Sequence, residues 1–178
     1  MQLDDLVTMK TGVNQLRLKD PTADLYGYPD LVADLGRSVA QPETAEAAAS
    51  EQSYQVVVGD IVFSTLQNTA SIVTAETAGK VLTQNFVRWR IKHHQIDPRY
   101  LCYCVNQTDA VKRQLARFLE GSHVANKLSL KTLRTLEIPV PPREEQDLWG
   151  RLYFNLQRQA TLQERLVALQ TQLLRGLE

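Results

Sequence analysis

The sequence predicts a mixed α/β domain followed by one long C-terminal helix. Short β-branched runs beside turn residues indicate strands in the first half of the chain, and amphipathic stretches indicate helices after residue 97. A proline-rich segment at residues 138–142 then precedes an unbroken leucine repeat. The 178 residues, 43% of them hydrophobic, suffice for one domain of roughly 140 residues plus this helix.

The first half of the chain contains strand-sized segments separated by turns. Residues 3–11 form a short strand or helix that enters a turn at Gly12, and a loose polar region then extends to about residue 53. Residues 45–51 either form a short helix or stay mobile. A turn at Gly59 and Asp60 and a polar loop at residues 67–71 divide the next part. The strands expected there are residues 54–58, 61–64, 72–74 and 79–82.

Residues 86–92 alternate apolar and basic side chains, which predicts a strand. The period of two places Arg88, Arg90 and Lys92 on one side of that strand. Asp97 and Pro98 then provide the N-cap and first-turn signals of a helix that breaks near residues 107–108. A second helix is expected at residues 109–119, ending at Gly121.

The C-terminal helix is expected to begin directly after Pro142, which divides the chain into a domain at residues 1–142 and a helix at residues 143–178. A seam of residues separated alternately by four and three positions predicts a coiled coil, although a helix lying on its own domain remains the alternative. The two polar members are expected to set the alignment of the paired helices. The seam comprises Leu148, Leu152, Asn155, Gln159, Leu162, Leu166, Leu169 and Leu173.

Charge is distributed unevenly although the formal net charge is zero. Residues 1–60 carry four cations and ten acids, whereas residues 61–135 carry eleven cations and four acids. Such a basic middle could contact phosphates, because local potential rather than whole-chain charge attracts them. The alternative is that it pairs internally with the acidic first third, and composition alone does not choose between the two.

The sequence predicts a cytoplasmic protein without a metal site. No apolar run approaches the roughly 20 residues that a membrane span needs, and the first residues lack the features of a signal peptide. Cys102 and Cys104 lie two apart in a predicted helix, where their side chains diverge, so a disulfide is not expected. Cys-x-Cys beside His93 and His94 does not match the ligand spacing of structural zinc.

Several short motifs follow one another along the second two thirds of the chain. They are residues 59–64, Gln84-Asn85, Asp97-x-x-Tyr100-Leu101, Gly121-Ser122, Leu133-x-x-Leu136 and an Ile-Pro-x-Pro-Pro-x-x-x-Gln junction at residues 138–146. In this order they resemble the target recognition domain of the specificity subunit of type I restriction–modification systems. The junction, followed by a coiled-coil helix, carries most of this resemblance, which extends over roughly residues 54–178.

The resemblance implies a non-catalytic DNA-binding specificity subunit that docks methyltransferase and restriction/translocase subunits. Those partners would supply the S-adenosylmethionine, ATP and Mg chemistry, and no cofactor is expected in this chain. The family's usual subunit has two recognition domains and two long helices, whereas this chain has one of each and looks like a half-subunit. We therefore expect a homodimer, with antiparallel helices, on a bipartite double-stranded DNA site. Parallel pairing and pairing with another specificity chain are alternatives.

Candidate DNA contacts divide into two sets. Amide and hydroxyl groups match base edges, which makes Gln67, Asn68, Thr69 and Ser71 candidate base contacts. The candidate phosphate contacts are Lys80, Arg88, Arg90, Lys92, Ser122, Lys127 and Lys131. Neither a phosphate-binding loop nor a methyltransferase motif is found, and His123 has no indicated partner acid. The alternative function is a non-catalytic dimeric scaffold, or a competitor of a full-length specificity subunit.

Overall fold

A computed structural model describes residues 1–14, 22–37, 53–92, 95–120 and 128–176. The mixed α/β fold with a long C-terminal helix is confirmed. Within the described residues, no helix is long and apolar enough to span a membrane. The elements, in order, are α1 (Leu3–Leu6), β1 (Val7–Thr11), β2 (Leu25–Tyr26), α2 (Tyr28–Arg37), β3 (Ile61–Ser64), β4 (Thr69–Ile72), β5 (Val81–Leu82), β6 (Phe86–Ile91), α3 (Pro98–Gln107), α4 (Asp109–Glu120), α5 (Leu130–Arg134) and α6 (Arg143–Arg175).

The main sheet is antiparallel, with strand order β1-β6-β3-β4, and β2 and β5 form a separate two-stranded parallel sheet. One face of the main sheet packs against the helices, and Phe63 stacks on Trp89 in that core at 4.9 Å between ring centroids. Val62 and Phe86 belong to a second, smaller core that also contains Tyr26 and Leu31. Because side chains alternate across a strand, β3 and β6 supply residues to both cores.

The chain start is tied to the segment that precedes α6. The Met1 amino group donates to Ile138 O, Ile138 N donates to Met1 O, and Leu3 N donates to Leu136 O. Leu136 and Ile138 are both buried in the main core. The proline-rich segment at residues 138–142 is therefore fixed to the domain immediately before the long helix begins.

Four local predictions about strands and loops were wrong in whole or in part. Residues 54–58 form no strand: Gln55 and Val81 form an isolated bridge, Gly79 N donates to Val56 O, and the Asp60 carboxylate accepts from Val57 N where the chain turns. The predicted polar loop at residues 67–71 is shorter, since β4 already begins at Thr69. The expected strands at residues 72–74 and 79–82 shrink to the end of β4 and to the two residues of β5.

Helix α2 was not predicted, since residues 12–53 were expected to be loose and polar. Its buried Asp34 carboxylate accepts from the hydroxyls of Tyr26, Thr74 and Thr77 at 2.7–2.8 Å, which ties α2 to the connection between β4 and β5. The predicted segment at residues 45–51 and the stop at Gly121 lie outside the described residues. Helices α3, α4 and α6 begin where the sequence predicts them.

Candidate nucleic-acid interface

Several cations of the basic middle pair with acids of the first third of the chain. Lys80 lies 2.9 Å from Asp30 and 3.5 Å from Asp24, and the hydrogen bond to Asp30 raises the pKa of Lys80 above its ordinary value. Exposed Arg134 lies 3.4 Å from Asp4, whose carbonyl accepts from Lys92 Nζ. The internal-pairing alternative therefore describes part of the basic middle.

Arg88 and Arg90 share one side of β6, as predicted, but both face Asp60. Arg90 Nε donates to the Asp60 carboxylate at 2.6 Å, and Asp60 is only 1% exposed. Arg88 is also buried, donates to the carbonyls of Ser53 and Gln55, and lies 3.9 Å from the same carboxylate. In this structure both guanidinium groups hold the strand to the turn at residues 57–60, so their predicted role as phosphate contacts competes with internal ion pairs.

A different group of cations is exposed and makes no ion pair within the described residues. Lys112, Arg113 and Arg117 lie on the solvent side of α4, while Val111 and Leu115 on its other side enter the core. We call these three residues the α4 cationic face. Sequence reasoning counted these cations in the basic middle but did not select them as candidate phosphate contacts, although charges set against an apolar stripe at helical spacing gave the signal. Lys131 on α5 is also exposed, whereas Ser122 and Lys127 lie outside the described residues.

The hairpin tip between β3 and β4 is ordered by its own polar groups. Asn68 adopts φ of 54°, a left-handed conformation that Asn tolerates better than most residues, and its N–H donates to Ser64 O at 2.9 Å. Ser64 Oγ donates to Gln67 Oε1, and Thr69 Oγ1 donates to Gln67 O at 3.1 Å. Three candidate base contacts, Gln67, Asn68 and Thr69, thus occupy one short turn.

A cleft of about 270 Å³ separates this hairpin tip from α4. Gln67, Asn68 and Thr69 line one wall, and Lys112 lies on the other. The Asn68 Oδ1 atom is buried and has no hydrogen-bond partner within the described residues. Ser71, the fourth candidate, is instead fully buried in β4, so it lies away from the exposed tip. The structure therefore places three of four candidate base contacts beside Lys112, which makes no ion pair with any residue that the structure describes.

The described part of the chain shows no chemistry of a metal site. No three His, Cys, Asp or Glu side chains of the described residues cluster to hold an ion. Cys102 and Cys104 are buried free thiols in α3, and burial raises the pKa of both above its ordinary value of 9.0, to about 11 for Cys104. His93, His94 and His123 lie outside the described residues.

The leucine seam of α6 is exposed. All six of its leucines are 45–67% exposed, and Asn155 and Gln159 are exposed as well. The face that packs on the domain contains Gln146, Gly150 and Phe154, and at 3.6 residues per turn it lies roughly opposite the seam. Tyr153 also belongs to the packed face. The helix thus holds its own domain with one face and presents the seam with the other, which is typical of a helix with a partner.

The described residues thus combine an antiparallel sheet, a cleft between an amide-bearing hairpin and a cationic helix, and an exposed leucine seam on a long helix. Residues 3–169 match the family described as "Type I restriction modification DNA specificity domain", and the chain belongs to this family. The family is one of DNA recognition rather than catalysis, and the resemblance seen in the motifs is confirmed.

Solved structures show the same fold at low sequence identity. The HsdS subunit from Thermoanaerobacter tengcongensis is 15% identical, with a TM-score of 0.57 over 93% of this chain and 38% of that one. A chain from a study of complex assembly and conformational transition of the type I R-M system is 14% identical, with a TM-score of 0.60 over 99% and 42%. This chain thus spans about two fifths of the length of those chains. No curated protein matches it.

Proposed function

We propose that this chain is the sequence-reading part of a type I restriction–modification complex and that it contacts DNA through the hairpin tip and the α4 cationic face. The observation that carries this proposal is that Lys112, one member of the α4 cationic face, lines the same cleft as the hairpin tip. Amides and hydroxyls can read base edges, and unpaired cations can neutralise phosphates beside them. Exposed Lys131 and Lys92 remain candidates for further phosphate contacts, together with Ser122 and Lys127.

Lys80, Arg88 and Arg90 have a smaller part in this proposal than the sequence predicted. Each would have to leave a carboxylate at 2.6–3.9 Å before contacting a phosphate. Moving a buried guanidinium away from Asp60 would leave a buried carboxylate with fewer partners, which is costly. The proposal therefore transfers the phosphate role from these residues to α4, and it omits buried Ser71 from the base contacts.

Dimerisation through the seam completes the proposal. Helix α6 has 33 residues and is roughly 50 Å long at 1.5 Å per residue. Two antiparallel copies would hold their domains at opposite ends of the pair, related by a two-fold axis. Such a dimer reads two identical half-sites in inverted orientation, with a spacer set by the helices. Methyltransferase and restriction subunits would dock on this assembly and bring S-adenosylmethionine and ATP chemistry.

Co-expression with a type I methyltransferase subunit, followed by sequencing of the host DNA for modified bases, tests the proposal. A bipartite inverted repeat is the expected methylated motif, because a symmetric dimer reads the same half-site twice. An asymmetric motif would replace the homodimer by a pair with another specificity chain. Triple replacement of Lys112, Arg113 and Arg117 by Ala should abolish modification. Unaltered modification by that variant would contradict the assignment to α4.

The exposed seam and the internal pairing of part of the basic middle favour one second candidate. A dimeric scaffold, or a competitor of a full-length specificity subunit, needs the seam but not the α4 cationic face. It would form a stable complex with the methyltransferase subunit without directing methylation. Binding to DNA would then be weak and independent of the sequence offered.

A further inference from the structure

The junction between the domain and α6 is built from buried polar groups rather than from apolar packing alone. Gln146, in the first turn of α6, is 2% exposed. Its Oε1 accepts from Asp97 N at 2.8 Å, and its Nε2 donates to Gln95 O at 3.1 Å and to Pro141 O at 2.8 Å. Both amide hydrogens and one acceptor site are therefore used. A carboxylate lacks the two donors and an apolar side chain lacks all three groups, so neither could replace this amide.

An ion network continues from the amide along the same contact. The buried Asp97 carboxylate accepts from Arg99 Nη2 at 3.1 Å and from Arg143 Nη2 at 3.2 Å. Arg99, itself almost fully buried, also reaches the Asp147 carboxylate at 2.7 Å. Asp97 is the N-cap of α3, so its carboxylate binds backbone N–H groups at the start of α3. The same carboxylate binds Arg143 of α6 and Arg99, which in turn contacts Asp147 of α6.

One turn further on, the two helices touch with almost no side chain between them. A Cβ at Gly150 would lie 2.8 Å from both Arg99 Cβ and Tyr100 N, which is closer than such atoms approach. The contact then continues where Asn106 Nδ2 donates to Tyr153 Oη at 2.8 Å, and a Cβ at Gly36 of α2 would collide with Thr161. The direction in which α6 leaves the domain is thus fixed at several successive turns.

We infer that Gln146, with Asp97 and Arg99, is a positioning device that sets the angle between the recognition surface and the seam, and through it the spacer length that the protein accepts. The inference rests on the proposed function for its consequence on DNA. The exact buried groups matter because directional hydrogen bonds specify one orientation, whereas apolar packing of similar area tolerates several. In a dimer the two-fold axis repeats each small change of angle in the second protomer. The separation of the two recognition surfaces therefore changes by about twice as much.

The first test measures the angle without DNA. Spin labels on exposed positions 109 of α4 and 171 of α6, with unlabelled chains in excess, report the distance distribution within one chain. Cys102 and Cys104 are buried, so we expect them to react with the label only slowly. Gln146→Met keeps the side-chain length but loses the three hydrogen bonds, and we expect a distribution at least twice as wide. Gln163→Met, on the exposed part of α6, is the matched control and should leave it unchanged.

The second test measures the consequence on DNA. The wild-type chain should bind one spacer length at least tenfold more tightly than spacers one or two base pairs longer or shorter, whereas Gln146→Met should bind them within a few-fold of one another. Asp147→Ala, which removes a partly exposed member of the network, should act in the same direction if Gln146→Met fails to fold.

The two measurements separate the possible failures. An unchanged distance distribution in folded Gln146→Met and Asp147→Ala overturns the positioning role, whatever the DNA result. A wider distribution in a protein that binds no DNA sequence specifically supports the positioning role and overturns the proposed function. A wider distribution with an unchanged spacer preference overturns the link from angle to spacer.

Discussion

The buried Asp60 carboxylate engages two arginines that the sequence presented as candidate phosphate contacts. It accepts from Val57 N at the turn before β3, and Arg88 and Arg90 of β6 approach it from the neighbouring strand. Ile61, the next residue, pairs with Trp89 in the sheet, so the antiparallel register brings these charges together. The two arginines therefore contribute to the fold before they can contribute to binding.

Arg90→Ala should lower the free energy of unfolding, whereas Arg113→Ala should not. Loss of Arg90 leaves the buried Asp60 carboxylate without its closest cation, and we expect a cost of about 1–3 kcal/mol. Arg113 is exposed on α4 and makes no ion pair within the described residues. Urea unfolding of both variants checks the contrast, and equal stabilities would show that the ion pair at Asp60 contributes nothing.

On DNA, Arg113→Ala and Asn68→Ala should have different effects. Arg113→Ala should weaken binding to cognate and scrambled duplexes alike and reduce the salt dependence by about one unit of slope, because one phosphate contact is lost. Asn68→Ala should instead relax the preference at a single base pair, at a cost of about 1–3 kcal/mol on the cognate duplex. Identical effects of the two changes on both duplexes would contradict the division into phosphate and base contacts.

The Cys104 thiol should make stability depend on alkaline pH. Burial raises its pKa in the folded chain from 9.0 to about 11, so its contribution is present below pH 9.0 and is lost as the pH rises towards about 11. Cys104→Ala lacks this titration. The difference in the free energy of unfolding between the two proteins should therefore shrink across that interval by roughly 2–3 kcal/mol. A difference that stays constant with pH would contradict a buried, neutral thiol.

Sequence offered internal pairing of the cations as one of two alternatives and could not choose it, because the pairing depends on strand register. Asp60 and Arg90 are 30 positions apart, and only the pairing of β3 with β6 brings them together. The seam could be predicted because its spacing is a local property of one helix. Its exposure followed only from the structure, which shows that the opposite face of α6 is already occupied by the domain.

At the scale of elements, local signals identified helices better than short strands. Asp97 caps α3 as predicted, accepting from Arg99 N at 2.8 Å, and the prolines before Arg143 precede α6. In contrast, α2 depends on hydrogen bonds from Thr74 and Thr77 to Asp34, some 40 residues away. A strand as short as β5 likewise has too few residues to show a period of two.

Three arginines flank the α6 seam on one side, each one residue before a seam residue: Arg151, Arg158 and Arg165. When two copies overlap fully in antiparallel orientation, Leu148 of one lies across from Leu173 of the other, which places Arg158 beside Arg165 of the second copy. Parallel copies instead place Arg165 beside a Gln. The orientation of the pair therefore determines whether the dimer contains repelling arginines.

Arg165→Glu should strengthen an antiparallel dimer, because each introduced carboxylate would meet Arg158 of the other copy. We expect severalfold tighter association at low salt, at about 0.5 kcal/mol per exposed pair, with the gain fading at high salt. Arg175→Glu changes the charge equally outside the seam and serves as the control. Sedimentation equilibrium measures both. No gain for Arg165→Glu over the control would favour the parallel arrangement.

At the scale of the whole molecule, the family could be predicted from sequence because its motif lies at the junction between the domain and α6. The glutamine of the Pro-Pro-x-x-x-Gln motif is the buried Gln146, and the motif prolines precede α6. The DNA-contacting residues carry no comparable motif, since exposed side chains are constrained by the partner rather than by the fold. The family match over residues 3–169 extends the resemblance into the first third of the chain.

If the seam joins two copies, changes in the seam should weaken binding to a bipartite site without affecting folding or binding to one half-site. Leu162→Gln combined with Leu166→Gln should give a monomer of unchanged domain stability, because both leucines are exposed and lie on the side of α6 opposite the packed face. One half-site should still bind with wild-type affinity. A duplex with two half-sites should lose about 10²–10⁴-fold in affinity, since the second contact is no longer intramolecular.

Val167→Gln combined with Leu174→Gln is the matched control, because these side chains are as exposed but lie off the seam. This control should stay dimeric and keep the bipartite preference. If both pairs of changes dissociated the protein, general hydrophobicity rather than the seam would drive association. If neither did, the domains themselves would form the interface, and the spacer could not be set by α6. Only if the seam changes alone abolish dimerisation and the bipartite preference does α6 join the two recognition domains on DNA.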